Sequence, residues 1–247
     1  MKKTSFFIAG RHAVIEAIRN PLRKIHKIYI TDDAGKILNK YFANQNKFKD
    51  LKKIYRSKKE LDNLCGKDEI SHQGMVADIE EMENLNLNEF IKENEKKNMN
   101  ILALEDVTDP RNIGSVIRTC AAFGLDGLII NERTFPSKSK VLYKSSSGGI
   151  EYLPIFKVSN IKNAFKILKK YNFWISAFDN NAKTDFSSHK WNGRNVLLFG
   201  SEGIGIKQST LKHSDYIFNI NINKKIESLN ISNSVAIVSH FLSNYQK

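Results

Sequence analysis

Cysteine is scarce in this 247-residue chain, which holds only Cys65 and Cys120. Two thiols so far apart, with no Cys-x-x-Cys pairing, argue against a disulfide framework and fit a reducing compartment, with both as small core residues. Metal-ligand spacing is missing too. His12, His26, His72, His189, His213 and His240 lie scattered, with no His-x-x-x-His pair and no cysteine beside them, so no metal site is expected. No Gly-x-Ser-x-Gly elbow occurs, which leaves a Ser-His-Asp hydrolase without a nucleophile. No apolar run nears the roughly 18 residues of a membrane span, and Phe6-Phe7-Ile8-Ala9-Gly10 is too short for a signal-peptide core. The expectation is a soluble cytoplasmic protein with no membrane partner.

Acidic residues are in deficit: 26 Asp+Glu stand against 39 Lys+Arg, a formal net charge of +13. Such an excess attracts a polyanion over several ångströms and makes its binding salt-dependent, so nucleic acid is the leading partner. An AT-biased genome would enrich Lys, Asn and Ile just as well, and charge alone leaves both readings open. At 41% hydrophobic and 10% aromatic residues the chain has material for a core, enough for one large domain or two small ones.

The apolar pattern favours two. Residues 1–80 read as a small α/β unit: helical spacing over 13–18 stops at Asn20-Pro21, and strand residues follow at Ile25, Ile28, Tyr29 and Ile30. A helix is expected within 36–46, a short strand at Ile54-Tyr55, a capping box at Ser57-Lys58-Lys59-Glu60 and a strand over 75–79. Residues 81–99 are rich in Glu, Asn and Lys and read as a linker with one amphipathic helix, anchored by Leu85, Leu87, Phe90 and Ile91. From 100 to 247, strands at 101–104, 127–130, 153–156, 173–177, 196–199 and 216–222 alternate with helical segments. The fold class is α/β, a parallel sheet with helices on both faces. There is no internal repeat.

Three clusters at strand-to-helix junctions carry the polar residues that chemistry would need. In Asp109-Pro110-Arg111-Asn112-Ile113-Gly114, the acid caps a helix and proline occupies its first turn. Ile113, Val116, Ile117, Cys120 and Ala121 then define the buried stripe. Arg118 lies off it, on the face of Ser115, free to enter a cleft or simply to be solvated. Gly200-Ser201-Glu202-Gly203-Ile204-Gly205 follows an apolar strand and reads as a ligand loop or as a plain turn. It is no P-loop, since Lys207 precedes Gln208, and its glycines do not have dinucleotide spacing. In Ser228-Leu229-Asn230-Ile231-Ser232-Asn233-Ser234, helix capping accounts for one or two of the polar residues, not all five.

In this order, over roughly residues 101–245, the clusters resemble the SpoU/TrmH family of RNA ribose 2′-O-methyltransferases of the SPOUT superfamily. The resemblance rests on Asp109 to Gly114 with Arg118, on Leu198-Phe199-Gly200-Ser201-Glu202-Gly203, and on Ser228-Leu229-Asn230-Ile231-Ser232. The N-terminal stretches Ile8-Ala9-Gly10-Arg11-His12-Ala13-Val14 and His72-Gln73-Gly74 look like that family's ribosomal-protein-like substrate-binding domain. The full layout is similar to the branch that methylates a guanosine of 23S ribosomal RNA.

The resemblance implies a deep trefoil knot in the C-terminal domain, a homodimer, and S-adenosylmethionine contacted by Gly200, Ile220 and Leu229. It makes Arg118 the catalytic residue, anchoring a phosphate and stabilising a developing alkoxide, or acting as base. Asn112, Glu202, Ser228 and Asn230 orient Arg118, the ribose and the cofactor. Between Ile220 and Ser228 the chain lacks the proline that relatives often carry, which bears on cofactor affinity. The alternatives are a transfer RNA 2′-O-methyltransferase and, from another class, a non-catalytic RNA-binding protein. Lys138, Lys140 and Lys144 suit either phosphate contact or a solvated helix face.

Overall fold

The structure, a computed structural model, describes residues 5–66, 70–94 and 97–245. Contacts divide the chain into two units, Met1–Glu83 with Pro136–Tyr152, and Asn84–Phe135 with Leu153–Lys247.

In the first unit β1 (Ser5–Ala9), α1 (Arg11–Arg19), β2 (Ile25–Ile30), α2 (Asp32–Phe42), α3 (Asn46–Asp50), β3 (Lys53–Tyr55), α4 (Lys58–Cys65) and β4 (Met75–Glu80) build a four-stranded sheet of order β1-β4-β2-β3. β4 runs antiparallel to β1 and β2, while β3 is parallel to β2. The capping box forms as expected: Ser57 Oγ accepts from the Glu60 N–H at 3.3 Å and the Glu60 carboxylate accepts from the Ser57 N–H at 2.8 Å. The helix expected within 36–46 starts earlier, because Thr31 caps it by accepting from the Ala34 N–H.

The second unit opens with α5 (Leu87–Glu93), whose Leu87 and Ile91 are buried in its core. The segment that composition marks as a linker is thus anchored by the few apolar residues it has. β5 (Met99–Leu104), α6 (Pro110–Ala122) and β6 (Gly127–Asn131) follow. The chain then returns to the first unit with α7 (Lys140–Ser146) before completing the second with β7 (Ile155–Val158), α8 (Ile161–Lys169), β8 (Phe173–Phe178), β9 (Thr184–Asp185), β10 (Arg194–Phe199), α9 (Gln208–Leu211), β11 (Tyr216–Asn219) and α10 (Ile231–Tyr245). The sheet has seven parallel strands in the order β7-β6-β5-β10-β8-β11-β9. β5 and β10 are buried on both faces over residues 101–104 and 196–199, where they read as apolar runs, and β8 is buried except at Trp174. The strand expected over 216–222 stops at Asn219, where its pairing with β9 ends.

The excursion of residues 136–152 was unexpected. A buried ion pair holds it: Arg23 donates to both carboxylate oxygens of Glu151 at 2.9–3.2 Å, with side-chain exposures of 1% and 0%. Lys140 donates to the Cys65 carbonyl at 2.5 Å and Lys144 to Gln73 Oε1 at 2.7 Å. Two of the three lysines weighed for phosphate contact are therefore engaged within their own unit. Both cysteines are buried and unpaired with each other. Among the described residues, no helix is long and apolar enough to cross a membrane, and no His, Cys, Asp and Glu side chains group to hold a metal.

Candidate active site

Parallel strands release their loops at one edge, where open α/β sheets bind ligands. β10 ends there at Gly200, and the chain folds back on itself at once. The Gly205 N–H donates to the Ser201 carbonyl at 2.9 Å, with Gly203 at φ 87° and Gly205 at φ 70°. A Cβ on Gly200 would overlap the Gly205 carbonyl group. The loop's own closure thus demands glycine at position 200. Buried Glu105 ties the loop down from the end of β5, accepting from the Lys207 N–H at 2.9 Å and from Thr210 Oγ1 at 2.6 Å. A hydrogen bond and ion pair with Asp106 push the Lys207 amine above its usual range.

Two helix starts meet this loop. Asp109 caps α6 by accepting from the Arg111 N–H at 3.1 Å, which sets Asn112 in the first turn. Asn230 caps α10: its Oδ1 accepts from the Ser232 N–H at 2.9 Å and from Ser232 Oγ at 2.6 Å. The same side chain does more. Asn230 Nδ2 donates to Glu202 Oε1 at 2.7 Å and to Asn112 Oδ1 at 3.0 Å, and Asn112 Nδ2 donates to Glu202 Oε1 at 3.2 Å. The triangle fixes both amide orientations, because turning either would aim an oxygen at the carboxylate. Capping and site-building, which the sequence presents as competing roles for Asn230, are carried by opposite ends of one amide.

Beside the triangle lies a cavity of about 290 Å³, lined in part by Gly200, Ser201, Glu202, Ser228 and Leu229. Phe178 and Phe199, stacked with centroids 4.5 Å apart, line another part of it. Its ionisable lining among the described residues is Asp179, Glu202 and Glu227, without Lys or Arg. Such a site suits a cation over an anion such as a nucleoside phosphate.

Of the residues picked out from sequence, Gly200, Glu202, Ser228 and Leu229 line the cavity, while Asn112 and Asn230 join through Glu202. Ile220 does not line it; it is half-buried, one residue beyond the end of β11. Arg118 is exposed and has no hydrogen-bond or ion-pair partner among the described residues. It lies about 9 Å along the α6 axis from Asn112. Asp179, Asn180 and Asn181, at the turn after β8, also line the cavity, and Asn180 Nδ2 holds the Glu227 carbonyl at 3.2 Å. Sequence reading passed over them, although an acid and two asparagines directly after an apolar strand form the same kind of junction as the three clusters.

A parallel sheet with polar loops gathered at its carboxyl edge defines a ligand-binding α/β domain, and likeness to known proteins specifies which. Residues 99–240 match the SpoU rRNA Methylase family, and residues 7–85 match the RNA 2′-O ribose methyltransferase substrate binding domain. A Staphylococcus aureus (strain COL) protein classed with the TrmH family tRNA/rRNA methyltransferases is 32% identical over 238 residues, covering 94% of this chain and 93% of that one. The protein YacO of Bacillus subtilis (strain 168), classed in the same way, is 28% identical over 242 residues, 97% and 96% of the two chains. The chain belongs to the SpoU rRNA Methylase family. Its fold is that of the SpoU methyltransferase AviRb from Streptomyces viridochromogenes in complex with AdoMet, with a TM-score of 0.79 at 18% identity over 98% of this chain and 90% of that one. An AdoMet-bound rRNA methyltransferase from Sinorhizobium meliloti gives a TM-score of 0.78 at 20% identity, over 98% and 88%.

Proposed function

We propose that this protein methylates the ribose 2′-hydroxyl of a guanosine in 23S ribosomal RNA, using S-adenosylmethionine. Membership of the family makes it an S-adenosylmethionine-dependent RNA methyltransferase. The observation that carries the assignment to this site is the triangle Asn112–Glu202–Asn230, which joins residues 90 and 118 positions apart at the rim of an acid-lined cavity.

The cavity fits the cofactor: two stacked aromatic rings offer apolar surface to a base, and the carboxylates suit its positive charges. Gly200, Leu229 and the turn at Asp179 would hold it, with Ile220 supporting the same edge. When bound, S-adenosylmethionine supplies a methyl group on a cationic sulfur. Transfer to a hydroxyl is an in-line displacement that depends on alignment. Glu202 and the two asparagines lock three loops together and so set that alignment, and Ser228 presents a hydroxyl from the same rim. Arg118 anchors an RNA phosphate and stabilises a developing alkoxide, leaving the hydroxyl proton to another acceptor. Its freedom from partners keeps it available for RNA. The first unit provides RNA reach. A homodimer, a knotted second unit and a cytoplasmic location complete the reading; α10 supports the dimer by exposing Ile237 and Tyr245.

The test is transfer of labelled methyl to total RNA lacking the modification, with wild type and Arg118→Ala compared. Alkali-resistant label in 23S RNA, lost in Arg118→Ala, is expected. Label in transfer RNA alone would keep the chemistry and overturn the substrate. No label, with no S-adenosylmethionine bound, would overturn the proposal in favour of a non-catalytic RNA-binding protein.

A further inference from the structure

The amino edge of the same parallel sheet lies opposite the candidate active site, and it carries a partly exposed aromatic cluster that does not line the cavity. Trp174, near the start of β8, is 49% exposed. Its ring meets Tyr216 at 5.8 Å between centroids, and Tyr216 meets His189 at 4.6 Å. The other tryptophan, Trp191, is buried, so exposure at Trp174 is particular to this edge. Burial holds the His189 imidazole below its usual range.

Sheet order assembles the surroundings. β10, β8 and β11 are consecutive and parallel, so the segments entering them emerge side by side. They carry exposed Lys190, Lys170 and Lys212, none with an ion-pair or hydrogen-bond partner among the described residues. The acid there, Asp215, is already bound by Lys169 at 2.7 Å and by the Ile175 N–H at 2.8 Å. The patch therefore offers aromatic rings on the same sheet edge as exposed lysines that have no ion-pair partner among the described residues. Single-stranded nucleic acid needs this combination: bases stack on aromatic faces irrespective of sequence while lysines follow the phosphates.

We propose that Trp174, Tyr216 and His189, with Lys170, Lys190 and Lys212, form a stacking platform for unpaired RNA, separate from the methyl-transfer site. Trp174 lies about 13 Å along β8 from Phe178 in the cavity lining, at the other edge of the sheet. The platform extends the methyltransferase reading but is tested by binding alone.

The experiment measures binding of the full chain to a fluorescent single-stranded oligoadenylate of about ten nucleotides, by anisotropy across a salt series. Trp174→Ala should weaken binding about 5- to 150-fold, and Trp174→Phe, which keeps a stacking face, should recover most of it. Replacing the three lysines with alanine should make the slope of log K against log salt shallower by about 2. Thermal unfolding of each variant separates loss of fold from loss of contact. Unchanged affinity and salt slope would overturn the platform. So would a Trp174→Ala variant that binds RNA normally but changes its oligomeric state, since the patch would then be a protein interface. Normal oligonucleotide binding by a protein that transfers no methyl would sustain the platform and sink the methyltransferase reading.

Discussion

Asn230→Asp separates the two tasks of Asn230. Aspartate keeps the oxygen that accepts from the Ser232 N–H, so α10 stays capped and the roughly 1 kcal/mol of an N-cap is retained. The Nδ2 donor is lost, and with it the 2.7 Å bond to Glu202 and the 3.0 Å bond to Asn112. A hydrogen bond to a charged group contributes about 1.5–3 kcal/mol, the lower end applying where both partners are exposed, as here. Two carboxylates facing each other through water add about 1 kcal/mol of repulsion. Opening the triangle thus becomes easier than in the wild type by about 2–3 kcal/mol, but only three surface loops separate. The melting temperature should fall by less than about 4 °C. Methyl transfer, which needs the loops in register, should fall about 30- to 150-fold. The double variant Glu202→Gln with Asn230→Asp restores a donor–acceptor pair with the roles exchanged, and should recover stability and part of the activity. Circular dichroism and methylation kinetics on the same preparations decide the matter. Asn230→Asp with wild-type activity would refute the reasoning and leave Asn230 as a helix cap alone.

Other consequences follow from the same structure. Gly200→Ala forces a Cβ into the Gly205 backbone, so thermal unfolding should show a loss of about 1–3 kcal/mol and calorimetry weaker S-adenosylmethionine binding. Glu151→Ala strands the Arg23 guanidinium in the interior of the first unit and should lower its stability by about 3–5 kcal/mol in urea denaturation, whereas Glu151→Gln, which keeps an acceptor, should lose less. Because burial lowers the His189 pKa, the unfolded chain takes up this proton first as pH falls through the usual histidine range. The His189 contribution is complete above about pH 6.5 and declines below it, so the stability lost between about pH 7.5 and 5.5 should be smaller in His189→Phe. An equal loss in the variant would assign the pH dependence elsewhere.

Local chemistry explains what could be read without coordinates. Ser57 with Glu60, Asp109 before Pro110 and the apolar stripe of α6 are decided within a turn or two of helix, where spacing and hydrogen-bonding capacity suffice. The buried run of β10 and its abrupt end at Gly200 were legible for the same reason, as was the composite of three motifs that marks the family. Tertiary structure alone decided how those pieces meet. It placed β10 between β5 and β8, brought Asn230 onto Glu202 and Asn112, and let the turn at Asp179 share their cavity. It assigned Gly200 to loop closure, and drew residues 136–152 back to Arg23 through a carboxylate 128 positions away. A bond between distant positions leaves no period or spacing in the chain, because it depends on which strands become neighbours; the residues were visible in the sequence, and their partners belong to the fold.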